Sequence, residues 1–195
     1  MTPNPKAKMT LEEYFEFDKN AEGNFEYFNG ETFEMSGVSP NHARVERNLT
    51  VKLTPLSFEK GCEVFPANLR IKIQNLPVYR YPDLSIVCGN AEFMDVGGVQ
   101  CLTNPSLIVE VLSDSTERYD RGEKFLEYKS IESFREYLLI SSTNISVTLF
   151  QQHNERFWLQ SDYTAAESFH LNTLNLEMNV DDLYKGVDFS VSGND

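Results

Sequence analysis

The segment "NPSLIVEVLSDST", residues 104–116, constrains the fold of this chain more than any other stretch. Its middle part, residues 107–112, is apolar at every position except Glu110, and such runs are typical of strands covered on both faces of a sheet. A buried carboxylate without a partner costs several kcal/mol. The segment therefore predicts a central strand whose one charge must be matched by a cationic side chain or by a metal ion.

Hydrophobic periodicity predicts the elements around this strand. Thr10 followed by Glu13 makes a capping box that begins a short helix, and Asn29-Gly30 predicts a β-hairpin at about 24–36. A long amphipathic helix follows in "SPNHARVERNLTVKLTPLSFEKG". Further strands are predicted in "VFPANLRIKI", "RYPDLSIVCG", "FREYLLISS", "SVTLFQQ" and "RFWLQSDY", and a helix in "DRGEKFLEYKSI". This order is typical of an α+β (mixed α/β) fold with helices on a central sheet.

Composition and length favour one globular domain. The chain has 195 residues, of which 41% are hydrophobic, and it contains no uncharged apolar run of about 18 residues that could span a membrane. We expect a single domain over residues 1–195, located in the cytoplasm, with no membrane contact. Cys62, Cys88 and Cys101 form no CxxC pair, so we expect three reduced thiols in the core.

The formal net charge of -13 opposes nucleic-acid binding, which usually needs a basic surface. The acidity is concentrated at the two ends of the chain. Residues 1–40 hold 8 acids against 3 Lys or Arg, and residues 151–195 hold 8 against 2, whereas residues 41–150 hold 14 against 12. The distribution leaves room for a basic cleft in the middle of the chain.

Asp83 and Glu110 are candidates for a shared cation site. Asp83 begins one predicted central strand and Glu110 lies inside the next, and neighbouring strands are about 4.8 Å apart. Two carboxylates at matching heights could hold one divalent ion, and the backbone carbonyl of Val111 is a hard oxygen ligand suited to magnesium. Two other interpretations remain open: Pro82-Asp83 could form only a turn, and Glu110 could pair with an arginine.

Lys124 stands at an unusual position in the following helix. At 100° per residue it falls between Ile131 and Tyr128, inside the apolar stripe. A lysine there points toward the sheet and could reach a carboxylate or a phosphate, although a side chain that extends its ammonium to solvent is the alternative. Asp120 with Glu123 matches a capping box, so we expect those two acids to be structural.

Other catalytic patterns are missing from the sequence. It contains no GxxxxGK[ST], GxGxxG, HExxH or GxSxG motif. The three histidines, His42, His153 and His170, are scattered, and nothing pairs one of them with a cysteine. The sequence thus favours chemistry based on carboxylates over nucleophilic catalysis by cysteine or serine.

Pro82-Asp83 followed by Glu110-Val111-Leu112 resembles the PD-(D/E)XK nuclease superfamily. The stretches "RYPDLSIVCG", "NPSLIVEVLSDSTERYDRGEKFLEYK" and "FREYLLIS", with "FEYFNGETFEMSG" upstream, are similar to the bacterial Uma-type restriction-endonuclease-like proteins over about residues 10–185. Leu112 stands where the superfamily usually has a lysine, and Ser141 stands where relatives often have an acid. In the Uma-type branch the lysine position in the next helix corresponds to Lys124.

This resemblance implies a restriction-endonuclease-like mixed sheet and metal-dependent hydrolysis of DNA phosphodiester bonds by a homodimer. Asp83 and Glu110, with the Val111 carbonyl, would hold Mg²⁺ or Mn²⁺, and Lys124 would orient water or stabilise the transition state. Glu26 and His42 match further positions of the branch and are additional candidates. The candidates for phosphate contacts are Arg70, Lys72, Arg118 and Arg121.

A non-catalytic interaction module on the same scaffold is the alternative function. It would keep the acidic residues but cleave nothing. The overall negative charge favours it, because an acidic protein repels a polyanion at long range.

Overall fold

The computed structural model describes residues 8–35, 37–73 and 76–191. The helices are α1 (Leu11–Asn20), α2 (Pro40–Glu59), α3 over residues 117–128 and α4 (Val180–Leu183), with a 3₁₀ turn at Phe189–Val191. Helix α3 consists of Glu117–Tyr119, a π-helical turn at Asp120–Lys124, and Phe125–Tyr128. The strands are β1 (Phe25–Phe28), β2 (Glu31–Glu34), β3 (Cys62–Pro66), β4 (Ile71–Ile73), β5 (Val78–Arg80), β6 (Leu84–Cys88), β7 (Phe93–Val96), β8 (Val99–Leu102), β9 (Leu107–Leu112), β10 (Glu136–Ser141), β11 (Val147–Gln152), β12 (Trp158–Tyr163), β13 (Ser168–Leu171) and β14 (Leu176–Asn179).

The N-terminal elements confirm the local sequence signals. Thr10 caps α1 and forms a capping box with Glu13, whose carboxylate accepts from the Thr10 N–H at 2.7 Å. Strands β1 and β2 form the hairpin, and Asn29 and Gly30 have the positive φ angles, 49° and 86°, that a two-residue turn requires. Ser36, at the end of the predicted hairpin, lies outside the described residues.

Two six-stranded sheets form from the described residues, where the sequence predicted a single central sheet. The central sheet has the order β12-β11-β10-β9-β6-β3, and the hairpin sheet has the order β2-β1-β5-β4-β8-β7. Both are mixed, because β9 and β10 are parallel, as are β4 and β8, while the other neighbours are antiparallel. The second sheet arises because β1 of the hairpin pairs with β5 rather than joining the central sheet.

Strand β9 lies inside the central sheet with both of its faces covered. On one face Val109 packs in a cluster with Val45 and Leu49 of α2. On the opposite face Ile108 packs with Tyr128 of α3 and with residues of the hairpin sheet. The strand alternates between the two cores as its sequence predicted, and Glu110 shares the face that α3 and the hairpin sheet cover.

The cysteine prediction is wrong for two of the three residues. Cys62 of β3 and Cys88 of β6 are directly opposite in the antiparallel register and form a disulfide, although 26 positions separate them in the chain. Cys88 is also exposed. Cys101 is a free thiol in the core, as expected. No local sequence pattern could predict this bond, because only the β3–β6 pairing brings the two residues together.

Among the helices of the described residues, none is both long enough and apolar enough to cross a bilayer.

Candidate active site

Asp83 lies where β6 begins, beside Glu110 of the neighbouring strand. Leu84 pairs with Val109 in the antiparallel register of β6 and β9. The Asp83 Oδ2 atom accepts a hydrogen bond from the Val111 backbone N–H at 2.6 Å. The N–H and C=O of one strand residue point toward the same neighbour, so the Val111 carbonyl also faces the Asp83 side. Asp83 therefore replaces a backbone partner of Val111 just before β6 begins.

Lys124 supplies the cation that the buried strand requires. Its Nζ atom lies 3.0 Å from Oε1 of Glu110, 3.3 Å from Oε1 of Glu26 and 3.4 Å from Oδ1 of Asp120. Lys124 is only 6% exposed, so its ammonium does not extend to solvent. Tyr128 also donates to Glu110 Oε1, at 2.9 Å. Glu110 thus pairs with a lysine, and the alternative of an arginine partner does not apply.

Glu26 connects Lys124 to a second buried cation, Arg80. Arg80 donates to both oxygens of Glu127 at 2.9 Å and to Glu26 Oε2 at 3.2 Å. Glu26 Oε1 accepts from the backbone N–H of Tyr81 at 3.1 Å. Arg80 carried no recognisable signal in the sequence, because an arginine in "VYRYPD" looks like a surface residue until the fold buries it. It fixes the Glu26 carboxylate next to Lys124.

Negative charge exceeds positive charge around Lys124. Burial raises the pKa of Glu110 well above its ordinary value, and only Lys124 among its main neighbours opposes this shift. Burial likewise raises the pKa of Asp120. For Glu26, Lys124 and Arg80 outweigh burial, so its pKa is lowered. Burial lowers the pKa of Lys124, but the three carboxylates outweigh it and hold that pKa well above its usual range. Lys124 and Arg80 are two cations in contact with four carboxyl groups, those of Glu26, Glu110, Asp120 and Glu127. When all four carboxyl groups are ionised, the negative charge that remains favours a bound cation.

His42 and Glu46 extend the acidic group toward α2. The Nε2 atom of His42 lies 3.0 Å from Asp83 Oδ1, and the ligand atoms of His42, Glu46 and Asp83 all lie within 4.8 Å of one another. Burial lowers the pKa of His42, but the hydrogen bond with Asp83 outweighs this and leaves the pKa raised. Glu46 was not identified from the sequence, although its position four residues after His42 places both on one face of a helix.

The π-helical turn of α3 explains the wrong assignment of Asp120. The sequence suggested a capping box of Asp120 with Glu123, but Asp120 is buried inside the helix and makes an ion pair with Lys124, while Glu123 is exposed. Tyr137 donates to the Asp120 carbonyl at 3.1 Å, which holds the widened turn. Such turns are frequent at functional sites. Asp120 therefore belongs to the candidate site, and sequence reasoning missed it.

The four candidates for phosphate contacts lie in different environments. Arg70 is 1% exposed and its guanidinium lies 2.7 Å from Asp18, so its assignment as a phosphate contact is wrong. Arg121 lies 2.7 Å from Glu117 and remains partly exposed, Arg118 is exposed and Lys72 is half-buried. Only Arg118 and Arg121 stand on the same helix as Lys124.

The two departures from the superfamily pattern have structural explanations. Leu112 is buried in the apolar cluster that contains Phe125 and Tyr137, so a lysine there would enter a hydrophobic core. Ser141 pairs with Leu112 across the parallel strands, and its hydroxyl lies 3.2 Å from that of Thr143. Neither residue contacts the acidic group directly.

Comparison with known proteins gives consistent matches. A family model named Uma2 and described as "Putative restriction endonuclease" matches residues 11–181. The chain is 35% identical over 185 residues to "Uncharacterized protein slr1290" of Synechocystis sp., covering 95% of this chain and 96% of that protein. It is 34% identical over 155 residues to "Uncharacterized protein sll1609" of the same organism, covering 79% and 86%.

A solved structure matches the fold. It is described as a putative nuclease belonging to DUF820 from Anabaena variabilis and superposes with a TM-score of 0.73 at 15% identity. The match covers 91% of this chain and 98% of that one. At this identity the likeness concerns the fold, and it agrees with the mixed α+β architecture predicted from the sequence.

Proposed function

This chain belongs to the Uma2 family, and we propose that it is a divalent-metal-dependent endonuclease that hydrolyses phosphodiester bonds of DNA. The observation that carries the proposal is the meeting of Lys124 with Glu110 at 3.0 Å, inside a group of carboxylates that outnumber their cations. Buried charges are costly unless they are compensated, and a divalent ion is a compensating partner for carboxylates that exceed the cations of the protein.

The residues present fit a divalent metal ion. Asp83 and Glu110, with the Val111 carbonyl, would supply the hard oxygen ligands that Mg²⁺ or Mn²⁺ accepts. A bound divalent ion would lower the pKa of an attacking water and neutralise charge on the phosphate. Lys124 would orient that water or stabilise the charge that develops on the phosphate oxygens. Glu26, which Arg80 fixes from behind, keeps the Lys124 ammonium charged and directed at the site.

DNA contacts would come from cationic residues at the edge of the site. Arg118 and Arg121 share α3 with Lys124, and Lys72 contributes from the hairpin sheet. We also propose that the protein acts as a two-fold dimer, because cutting both strands of a duplex requires two sites related by the symmetry of the substrate. Sedimentation velocity with and without a short duplex tests the dimer, and a monomer that cleaves both strands would contradict it.

Plasmid nicking tests the proposed reaction. The wild type is expected to nick supercoiled DNA in Mg²⁺ or Mn²⁺ and not in EDTA. Lys124→Ala should lower the rate by about 100-fold or more, the usual cost of removing a preorganised charge from an active site. Lys129→Ala is the matched control, since Lys129 lies five residues further on and is exposed. Equal losses in both variants would contradict the role of Lys124.

A catalytically silent interaction module is the second candidate, and the net charge of -13 favours it. An acidic protein approaches DNA against a repulsive field, and that repulsion is weakened by salt. The same nicking assay on plasmid and single-stranded DNA separates the two functions. No cleavage by the folded wild type in either metal would leave the module as the better description.

A further inference from the structure

We propose that His42 and Glu46 are ligands of the metal ion together with Asp83, so that the site prefers Mn²⁺ over Mg²⁺. This inference rests on the proposed metal-dependent function and adds to it the identity of the ion and two ligands on α2. Magnesium favours all-oxygen sites and retains its water, whereas first-row transition ions accept imidazole nitrogen readily.

The spacing of the three side chains fits one ion. Two ligand atoms bound at about 2.1 Å and at right angles lie about 3.0 Å apart. The Nε2 atom of His42 and the Oδ1 atom of Asp83 are separated by 3.0 Å. All three ligand atoms lie within 4.8 Å of one another, close to the roughly 4.2 Å between opposite ligands of one ion. A rotation of the Glu46 side chain can close the difference.

Hydrogen bonds within the protein hold His42 and Asp83 in place without a metal. Ser39 caps the N-terminus of α2 by accepting from the backbone N–H of His42 at 3.2 Å, which fixes the first helical turn. Glu46 follows one turn later on the same face. On the opposite side, the hydrogen bond from the Val111 N–H to Asp83 Oδ2 directs Oδ1 toward His42. The arrangement resembles a preformed ligand set supported by its own hydrogen bonds.

The local charge also favours a cation at this position. In the described part of the chain, no lysine or arginine makes an ion pair with Asp83 or Glu46, and His42 is the only cationic partner of Asp83. Lys124 makes its ion pairs with Glu26, Glu110 and Asp120 instead. Glu46 is partly exposed, so an ion can enter from the α2 side.

Pulsed electron paramagnetic resonance of bound Mn²⁺ tests the inference directly. We expect the wild type to show the ¹⁴N coupling of one imidazole ligand. His42→Gln should remove that coupling and weaken Mn²⁺ binding, measured by titration calorimetry, by at least about tenfold, since even indirect partners of a metal cost that much. His153→Gln is the control for an exposed histidine and should change neither quantity. The wild-type spectrum requires no variant, so a folding defect in His42→Gln cannot obscure the result.

The second ligand and the metal preference are tested by the same titrations. Glu46→Gln should weaken Mn²⁺ binding, whereas Glu59→Gln, exposed at the end of the same helix, should not. The wild type should bind Mn²⁺ more tightly than Mg²⁺, and His42→Gln should reduce that ratio.

The outcomes separate this inference from the proposed function. Bound Mn²⁺ without nitrogen coupling overturns the inference, and if the protein also nicks DNA, the proposed function stands with a site made of oxygen ligands alone. Nitrogen coupling without nicking supports the inference and contradicts the nuclease. Failure of the wild type to bind Mn²⁺ overturns both.

Discussion

Arg70 and Lys124 are both buried cations, but their surroundings differ in charge. Arg70 contacts one carboxylate, that of Asp18 at 2.7 Å, and its other contacts are neutral: the Tyr14 hydroxyl, the Val96 carbonyl and the Cys101 thiol. Lys124 contacts three carboxylates. The first arrangement balances its charges and needs nothing more, whereas the second leaves negative charge that a further cation can stabilise. The difference separates a structural ion pair from a candidate active site.

Breaking the Arg70–Asp18 ion pair should have the largest effect on stability. Arg70→Met leaves the Asp18 carboxylate without a charged partner, with only its hydrogen bonds to the Phe25 backbone and the Tyr81 side chain, which is expected to lower the free energy of unfolding by about 3–5 kcal/mol. Urea denaturation followed by circular dichroism measures the loss, and Mn²⁺ should not reverse it. The double variant with Asp18→Asn should recover most of the stability. A loss below about 1 kcal/mol for the single variant would mean that Arg70 is not part of a buried pair.

Adding Mn²⁺ should raise the free energy of unfolding only through the carboxylates of the candidate active site, which outnumber their cations. At a concentration of 100 times Kd, Mn²⁺ should add about 2.7 kcal/mol to the free energy of unfolding, or roughly 5–10 °C in Tm for a chain of this size. Asp83→Asn should lose the gain, because it removes a charged ligand. Asp18→Asn should keep it, although its starting Tm is lower. Scanning calorimetry in metal and in EDTA compares them, and an equal gain in both variants would place the ion elsewhere.

The smallest change in the free energy of unfolding is expected from removing one negative charge of the candidate site, that of Glu110. Without metal, Glu110→Gln should raise the free energy of unfolding at pH 8 by about 1 kcal/mol, because Gln keeps a side-chain oxygen for Tyr128 and carries no charge. Burial raises the pKa of Glu110 well above 4.5, so the folded protein holds this proton more firmly than the unfolded chain. The stability from this group is complete below pH 4.5 and is lost as the pH rises through the folded pKa.

Urea titrations of both proteins in EDTA at pH 5 and pH 8 test this sign. The decline in stability between the two pH values should be smaller in Glu110→Gln than in the wild type. A variant that is less stable than the wild type at pH 8 would show that the Glu110 charge is fully compensated, as the charge of Arg70 is.

Strand alternation and helical spacing were sufficient to predict part of the site. The faces of β9 and the inward direction of Lys124 follow from local geometry, because a strand alternates and a helix repeats regardless of its neighbours. The same reasoning failed at Arg70. Alternation correctly separated Arg70 from Ile71, but it cannot say which face of a strand meets solvent, and Asp18 of α1 lies over the face that carries Arg70.

The remaining differences come from pairings between distant segments. The Cys62–Cys88 bond depends on the register of β3 against β6, and the burial of Arg80 depends on Glu127 of α3. Asp120 was misassigned because the capping pattern assumes a regular helix, and the chain forms a π turn there. Each case required knowledge of which elements are neighbours, and a single sequence does not supply it.

The π turn in α3 also divides that helix into two halves that can change independently. Phe125 and Tyr128, after the turn, are fixed by the hydrophobic core, whereas Arg118, before it, is exposed. Shortening the turn by one residue would rotate the upstream half by about 100° around the axis and leave the downstream half in register. One insertion or deletion in this turn would therefore change the direction in which the upstream side chains of α3 point, without repacking the interior.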